Sequence, residues 1–155
     1  MTLEQLGNLG DFVAAVATVV TLAYLALQIR ASASATRAAS HQATTDSFIQ
    51  ANLAISQNAE LARIWVAGCA QRSPLSAEDR QRFDTLLLSY FHIFDSIHYQ
   101  AHAGTGEREL LRAEERSIAT LVAMPGVREW WAENPYAFST EFRAYIDGLI
   151  AGAAR

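Results

Sequence analysis

Residues 12–29 read FVAAVATVVTLAYLALQI and carry no formal charge. Glu4 and Asp11 precede this apolar segment, and Arg30 and Arg37 follow it. Its eighteen residues would rise about 27 Å as an α-helix, close to the roughly 30 Å hydrocarbon core of a bilayer. The segment has no polar stripe of the kind that marks a helix on the surface of a soluble domain. It therefore predicts a helix that spans the lipid bilayer through residues 12–29.

Two other interpretations of the apolar segment stay open. The following residues 31–35 (ASASA) resemble the small-residue cleavage site of a signal peptide. Residues 1–11, however, contain two acids and no basic residue, unlike the basic start of a signal peptide. The segment is also compatible with a core helix of a soluble domain, because Thr18, Thr21 and Tyr24 dilute the apolar run. A membrane span accounts best for the whole pattern.

The arginines predict an orientation for this span. Arg30 and Arg37 lie just after the apolar segment and no basic residue precedes it. Basic residues near a span favour its cytoplasmic end. We therefore expect a single-pass protein of the inner (cytoplasmic) membrane, with the N-terminus outside and the C-terminal domain in the cytoplasm. The single cysteine, Cys69, agrees with a reducing compartment, since it has no partner for an internal disulfide.

Length and charge limit the remaining possibilities. A chain of 155 residues is one domain with at most one appended element. We expect a transmembrane anchor over residues 1–30 and a helical domain over residues 31–155. The net charge of −4 argues against nucleic acid as the main partner.

The residues after the span predict an all-α fold. No segment combines alternating polarity with β-branched enrichment, so we expect no sheet. Prolines, glycines and capping residues divide the domain into a bundle of four to five helices. Predicted helices cover residues 77 to about 103, 107 to about 123 and 140 to about 151, with a short helix carrying Trp130 and Trp131.

Local signals set the expected ends of these helices. Asn58 is predicted to mark a turn between two helices, and Ser76 and Ser139 are predicted to cap the helices that follow them. Alanine-rich sequence after Arg30 can prolong the first helix. The Ser and Thr residues within 32–40 make this stretch the expected place for a break or a hinge.

The predicted helix over residues 77–103 is apolar on several sides. Such a helix is either the centre of a bundle or a surface for self-association. The aromatic residues near Trp130 either form a contact surface or close the end of the bundle core. The residues that we expect at an interaction surface are Phe91, Phe94, Tyr99, Trp130 and Trp131.

One cluster has the residue types of a metal site. Asp95, His98 and His102 are spaced by three and four residues, so their side chains can meet on one face of a helix. A carboxylate and two imidazoles are common metal ligands, and Glu114 or Glu115 on the next helix could complete a site. Solvated histidines beside an ordinary aspartate give the same pattern. No phosphate-binding loop, nucleophile elbow or paired zinc cysteines occur in the sequence, so it predicts no catalytic residue and no cofactor.

Several segments resemble a family of small bacterial single-pass membrane proteins with no assigned activity. The opening LGNLGDF and the run YLALQIR (residues 24–30) carry this resemblance, together with NAELARIWVAG, RFDTLLLSYFHIFDSIHYQ and MPGVREWWAENPYAFSTEFRAYID. The likeness covers most of the chain. It implies a membrane-anchored helical protein and transfers no site residue.

The expected function is a non-enzymatic, membrane-anchored interaction or accessory subunit that binds another protein or a second copy of itself. The alternative is a metal- or small-ligand-binding helical enzyme or sensor that uses Asp95, His98 and His102.

Overall fold

The computed structural model describes residues 3–104 and 108–153. Within these ranges the protein is all-α, with six helices and no strand, which confirms the predicted fold class. The helices are α1 (Leu3–Ser56), α2 (Ala59–Ala70), α3 (Ala77–His102), α4 (Arg108–Ala123), α5 (Pro125–Glu133) and α6 (Thr140–Ala153). Glu107, the first residue of one predicted helix, lies outside the described residues.

The chain divides into two compact units, Met1–Ala39 and Ser40–Arg155. We call the second unit the bundle. It contains the last part of α1 and all of α2 to α6. The structural division therefore falls at Ser40, later than the boundary after residue 30 that the sequence suggests.

The first unit is a helix whose apolar side chains are exposed. Phe12, Leu22 and Ile29 are each more than 60% exposed. In the described chain, α1 is the one helix long and apolar enough to cross a membrane, and no part of its most apolar stretch is buried.

No break occurs within residues 32–40, because α1 is helical throughout this stretch, as the alanine-rich sequence allows. The hydroxyl of Thr36 donates a hydrogen bond of 3.0 Å to the carbonyl oxygen of Ser32, one turn earlier. Back-bonding of this kind satisfies the hydroxyl inside the helix. The alanines around it have the highest helix propensity of any residue.

The predicted caps of three bundle helices are confirmed. Asn58 accepts hydrogen bonds from the main-chain N–H groups of Glu60 and Leu61 at the start of α2. The hydroxyl of Ser76 accepts one from the N–H of Asp79 at the start of α3, and the hydroxyl of Ser139 accepts one from the N–H of Phe142 at the start of α6. Each cap satisfies an N–H group that the first helical turn leaves unpaired.

Helix α3 lies at the centre of the bundle. Its residues Phe83, Leu87 and Phe91 have no exposed surface, and side chains from α2, α4, α5 and α6 complete the core. Burying a large apolar side chain of this kind contributes roughly 1.5–3 kcal/mol. The core residues outside α3 with at most 2% exposure are Ile64, Ile118, Val122, Val127, Trp130, Phe142 and Ile146.

Two glycines allow α2 to approach its neighbours α5 and α3 closely. A Cβ atom at Gly126 would overlap the carbonyl oxygen of Gly68 and lie 2.9 Å from the main-chain nitrogen of Arg72. A Cβ atom at Gly68 would overlap the ring of Phe83. The crossing of α2 and α5 therefore requires the absence of a side chain at Gly126, whereas the absence of one at Gly68 makes room for Phe83 of α3.

Candidate functional site

The histidine cluster on α3 is held by aromatic packing. His98 is buried, and its ring centroid lies 4.9 Å from that of Tyr145 and 5.6 Å from that of Phe142, both on α6. The ring of His102 lies 4.2 Å from that of His98. Its Nδ1 is 2.8 Å from the carbonyl oxygen of His98. Because that oxygen can only accept, Nδ1 of His102 carries the proton and is not free to bind a metal.

Asp95 does not join the two histidines in a ligand set. Among the residues that the structure describes, no group of three His, Cys, Asp or Glu side chains is arranged to hold a metal ion. The physical reason is that His98 packs between aromatic rings of α6, while His102 bonds to the main chain of its own helix.

Burial shifts the pKa values of His98 and Asp95. It lowers the pKa of His98, with the neighbouring His102 acting in the same direction, and Glu141 and Asp95 oppose the shift. Burial also raises the pKa of Asp95, against the opposing effect of His92 and His98. Desolvation favours the neutral form of each group. The arrangement is that of a neutral, packed histidine beside a half-buried carboxyl.

Four of the five residues expected at an interaction surface lie in the core. Phe91, Phe94, Trp130 and Trp131 are at most 6% exposed, whereas Tyr99 is 71% exposed. The reason is that four helices surround α3, so its apolar sides are covered by the same chain. In this conformation the four buried residues cannot form a contact surface.

The tryptophan pair closes the end of the core, the role that the sequence favours for these aromatic residues. Phe91 stacks on both Trp130 and Trp131, with ring centroids 5.2 and 4.9 Å away. The indole N–H of Trp131 donates a hydrogen bond of 2.8 Å to Asp147, and the guanidinium of Arg143 lies 4.5 Å from the centre of the same indole ring system. These contacts satisfy the polar edge of the indole and leave no open stacking site.

A buried ion network, absent from the sequence prediction, joins three elements of the bundle. Arg72, just after α2, is 7% exposed and forms a two-pronged contact of 2.7 and 2.8 Å with Asp84 of α3. It also donates a hydrogen bond of 2.6 Å to Glu133 at the end of α5. The hydrogen bond to Asp84 is the main cause that raises the pKa of Arg72. No local pattern marks this arginine, because its partners come from distant parts of the chain.

Cys69, near the end of α2, is a free and buried thiol. Burial raises the pKa of Cys69 to about 11. A thiol held neutral in this way is a poor nucleophile at physiological pH. It packs as a small apolar side chain.

A cavity of mixed chemistry lies between the end of α1, α3 and α4. It has a volume of about 420 Å³ and is open on one side. We call it the Glu114 cavity. Its walls combine aromatic rings with a carboxylate, a hydroxyl and an amide, contributed by Phe48, Asn52, Tyr90, Phe94, Glu114 and Ser117. The hydroxyl of Tyr90 donates a hydrogen bond of 2.8 Å to the amide oxygen of Asn52. Cavities of this size and composition are typical of small-molecule sites.

Comparison with protein-family models, with curated proteins and with solved structures gives no match for this chain.

Proposed function

We propose that this protein is a membrane-anchored, non-enzymatic helical subunit whose bundle contacts a protein partner or a second copy of the same chain. The observation that carries the proposal is the exposure of the apolar segment: Phe12, Val20 and Leu27 are each more than 60% exposed, on a helix that is apolar around its circumference. Such a surface is stable in lipid and unstable in water.

Polar groups within the apolar segment support the same environment. The hydroxyls of Thr18 and Thr21 each donate a hydrogen bond of 2.8 Å to a carbonyl oxygen one turn earlier in α1. They therefore need no partner from water. This suits the hydrocarbon region, where an unsatisfied polar group is costly.

The proposed orientation places the N-terminus outside and the bundle in the cytoplasm of a bacterial cell. Arg30 and Arg37 after the apolar segment support it. The same proposal includes location in the inner membrane and membership of the family that the sequence resembles.

Labelling with a membrane-impermeant maleimide tests the anchor and its orientation. The native thiol gives a low background, because Cys69 is buried and its pKa is raised to about 11. We expect Gly7→Cys to react in intact spheroplasts and Ser32→Cys to react only after the membrane is permeabilised. Both positions are exposed, so packing does not hinder either reaction. Equal labelling of the two variants in intact spheroplasts contradicts the proposed orientation.

Exposed apolar residues on the bundle support the interaction part of the proposal. Ile49 and Leu53 in the last part of α1 are 50% and 45% exposed, and both line an apolar cavity of about 540 Å³ that Trp65 also lines. The hydrophobic effect favours covering such residues, although scattered exposed ones are common.

Chemical cross-linking in native membranes tests this part. We expect a cross-linked species with the wild type that is lost in an Ile49→Glu/Leu53→Glu variant and kept in Gln50→Glu, an exposed neighbour on the same helix. Its mass distinguishes a second copy from another protein. A wild type that remains monomeric and free of partners contradicts the interaction role.

A further inference from the structure

We propose that the Glu114 cavity binds a small organic cation of the alkylated-ammonium class, held against the aromatic side of the wall (Phe48, Tyr90 and Phe94) and beside the carboxylate of Glu114. The site is independent of the proposed membrane anchor, because every residue that lines it belongs to the bundle.

Charge selects the class of ligand. Among the described side chains that line the cavity, Glu114 is the one carboxylate and none is an Arg or a His. Glu114 takes part in none of the ion pairs among the described side chains. Burial raises the pKa of Tyr90, so its hydroxyl is neutral at physiological pH. The wall therefore presents one negative charge and no positive charge, which favours a cation and disfavours an anion.

Aromatic rings select an organic cation over a metal ion. The rings of Phe48 and Phe94 meet edge to face with centroids 5.3 Å apart, and Tyr90 lies 6.4 Å from Phe48. Trp65 packs against Tyr90 at 5.1 Å and fixes that ring from behind. Aromatic faces attract a weakly hydrated ammonium group through their quadrupole, and quaternary ammonium ligands use this interaction most. A divalent metal ion would need several oxygen ligands, which this wall does not concentrate.

Polar groups along the wall orient the rest of the ligand. The hydroxyl of Ser117 and the amide of Asn52 line the cavity near the aromatic rings. The amide oxygen of Asn52 already accepts from Tyr90 and its amide nitrogen donates to the carbonyl oxygen of Phe48. This bonding fixes the orientation of the Asn52 side chain beside the hydroxyl of Tyr90. A volume of about 420 Å³ accommodates an ammonium group together with a short polar tail.

Calorimetric titration of the full chain in a maltoside detergent tests the proposal. Choline serves as the probe, and its uncharged isostere, with a tert-butyl group in place of the trimethylammonium, serves as the matched control ligand. We expect choline to bind about tenfold more tightly than the isostere, because only choline gains the carboxylate and ring interactions. Ionic strength is held constant by exchanging sodium chloride for choline chloride. Phosphocholine detergents are avoided because their headgroup would compete.

Variants locate the binding site. We expect Glu114→Gln to weaken choline binding about fivefold, the range of a partly exposed charge pair, and to leave binding of the isostere unchanged. Glu115→Gln is the control: it is exposed, adjacent in sequence and outside the cavity wall. Phe48→Leu should also weaken choline selectively, since the half-buried ring is replaced by an aliphatic group.

Three results overturn the proposal: no heat with either ligand, equal affinity for choline and the isostere, or equal effects of Glu114→Gln and Glu115→Gln. The comparison of the two ligands uses the wild type alone. It therefore decides the question even when a variant fails to fold. A result in either direction leaves the maleimide test of the anchor unaffected.

Discussion

The two compact units use apolar side chains in opposite ways. In the first unit Phe12, Leu22 and Ile29 are more than 60% exposed, whereas in the bundle Phe83 and Phe142 have no exposed surface. Both regions are rich in apolar residues. The difference lies in how these residues are arranged. Residues 12–29 are apolar on all sides of the helix, whereas the bundle helices have a polar face that is exposed to solvent. Apolar content alone thus does not predict burial by the same chain.

Charged groups show the same contrast. Between Asp11 and Arg30 the sequence carries no formal charge. The bundle instead places Arg72 in its interior and pairs it with Asp84 and Glu133. In a protein interior, a well-placed counter-charge can offset the desolvation cost of a buried charge. A lone helix in hydrocarbon would have no such counter-charge.

The largest expected effect comes from placing charge in the apolar segment. Val16→Arg/Val20→Arg should cost about 6 kcal/mol of membrane insertion, because each arginine near the centre of a span costs roughly 3 kcal/mol. Carbonate extraction of membranes measures the integrated fraction, which should fall from nearly all of the protein to little of it.

Val66→Arg provides the control for this change. Val66 lies on α2 and is 69% exposed, much like Val20 at 61%. Exposure is therefore matched and only the region differs. Extraction of the Val66 variant should equal that of the wild type. Equal release of both variants, or release of the wild type itself, would contradict the expected difference between the two units.

The next largest effect is expected from the buried ion network. Arg72→Ala removes the partner of Asp84 and Glu133 and should lower the free energy of unfolding of the bundle by about 3 kcal/mol. Arg82→Ala is the control, because its pairs with Glu60 and Glu78 are exposed and should contribute at most about 1 kcal/mol. Denaturant unfolding followed by tryptophan fluorescence measures both. Equal losses would show that burial does not set the strength of these pairs.

Sequence reasoning succeeded where the signal is local. The caps at Asn58, Ser76 and Ser139 depend on residues within three positions of each other, and the structure contains all three. The predicted α3 also depends on such signals, a cap before it and apolar residues at helical spacing, and it spans Ala77–His102. Helix periodicity and capping chemistry are encoded within a few residues.

Sequence reasoning failed where the answer depends on distant contacts. The apolar sides of α3 were compatible with the centre of a bundle or with an interaction surface, and only the structure shows that other helices of the bundle cover Phe91 and Phe94. Arg72 gave no local signal, since its partners lie 12 and 61 positions away. His98 looked like a metal ligand because spacing alone does not reveal the rings of α6 that pack against it.

A smaller effect is expected from Gly126→Ala. The added Cβ would overlap the carbonyl oxygen of Gly68, and because both groups belong to main chain, α2 and α5 must move apart. We expect a loss of about 2 kcal/mol, in the range of overpacked cores. Thermal unfolding of the bundle measures it.

Two further glycines sharpen this comparison. A Cβ atom at Gly148 in the bundle, or at Gly10 in the first unit, would meet no atom within 4 Å. Alanine at Gly148 should stabilise the bundle by up to about 1 kcal/mol through helix propensity, and alanine at Gly10 should leave its Tm unchanged. If Gly148→Ala destabilised the bundle, the loss at Gly126→Ala could not be attributed to the close approach of α2 and α5 at Gly126.

The smallest effect is expected from acid. Because burial lowers the pKa of His98 below its ordinary value of 6.5, the unfolded chain takes up this proton more readily than the folded bundle. Stability from His98 is therefore complete above about pH 6.5 and is lost as pH falls through that value toward the folded pKa. The Tm of the bundle should drop by a few degrees between about pH 7.5 and pH 5. Membrane integration of the uncharged apolar segment should not change.

His98→Met separates this residue from the other groups that titrate in acid, including Asp95, whose raised pKa acts in the opposite direction. Methionine has a similar volume and packs well against the rings of Phe142 and Tyr145, but it binds no proton. The variant should lose most of the acid-induced drop in Tm, whereas His41→Met, at an exposed position of α1, should keep it. We expect the bundle to be sensitive to acid and the apolar segment to be insensitive. An unchanged pH profile in His98→Met would mean that the buried imidazole is not the cause of this difference.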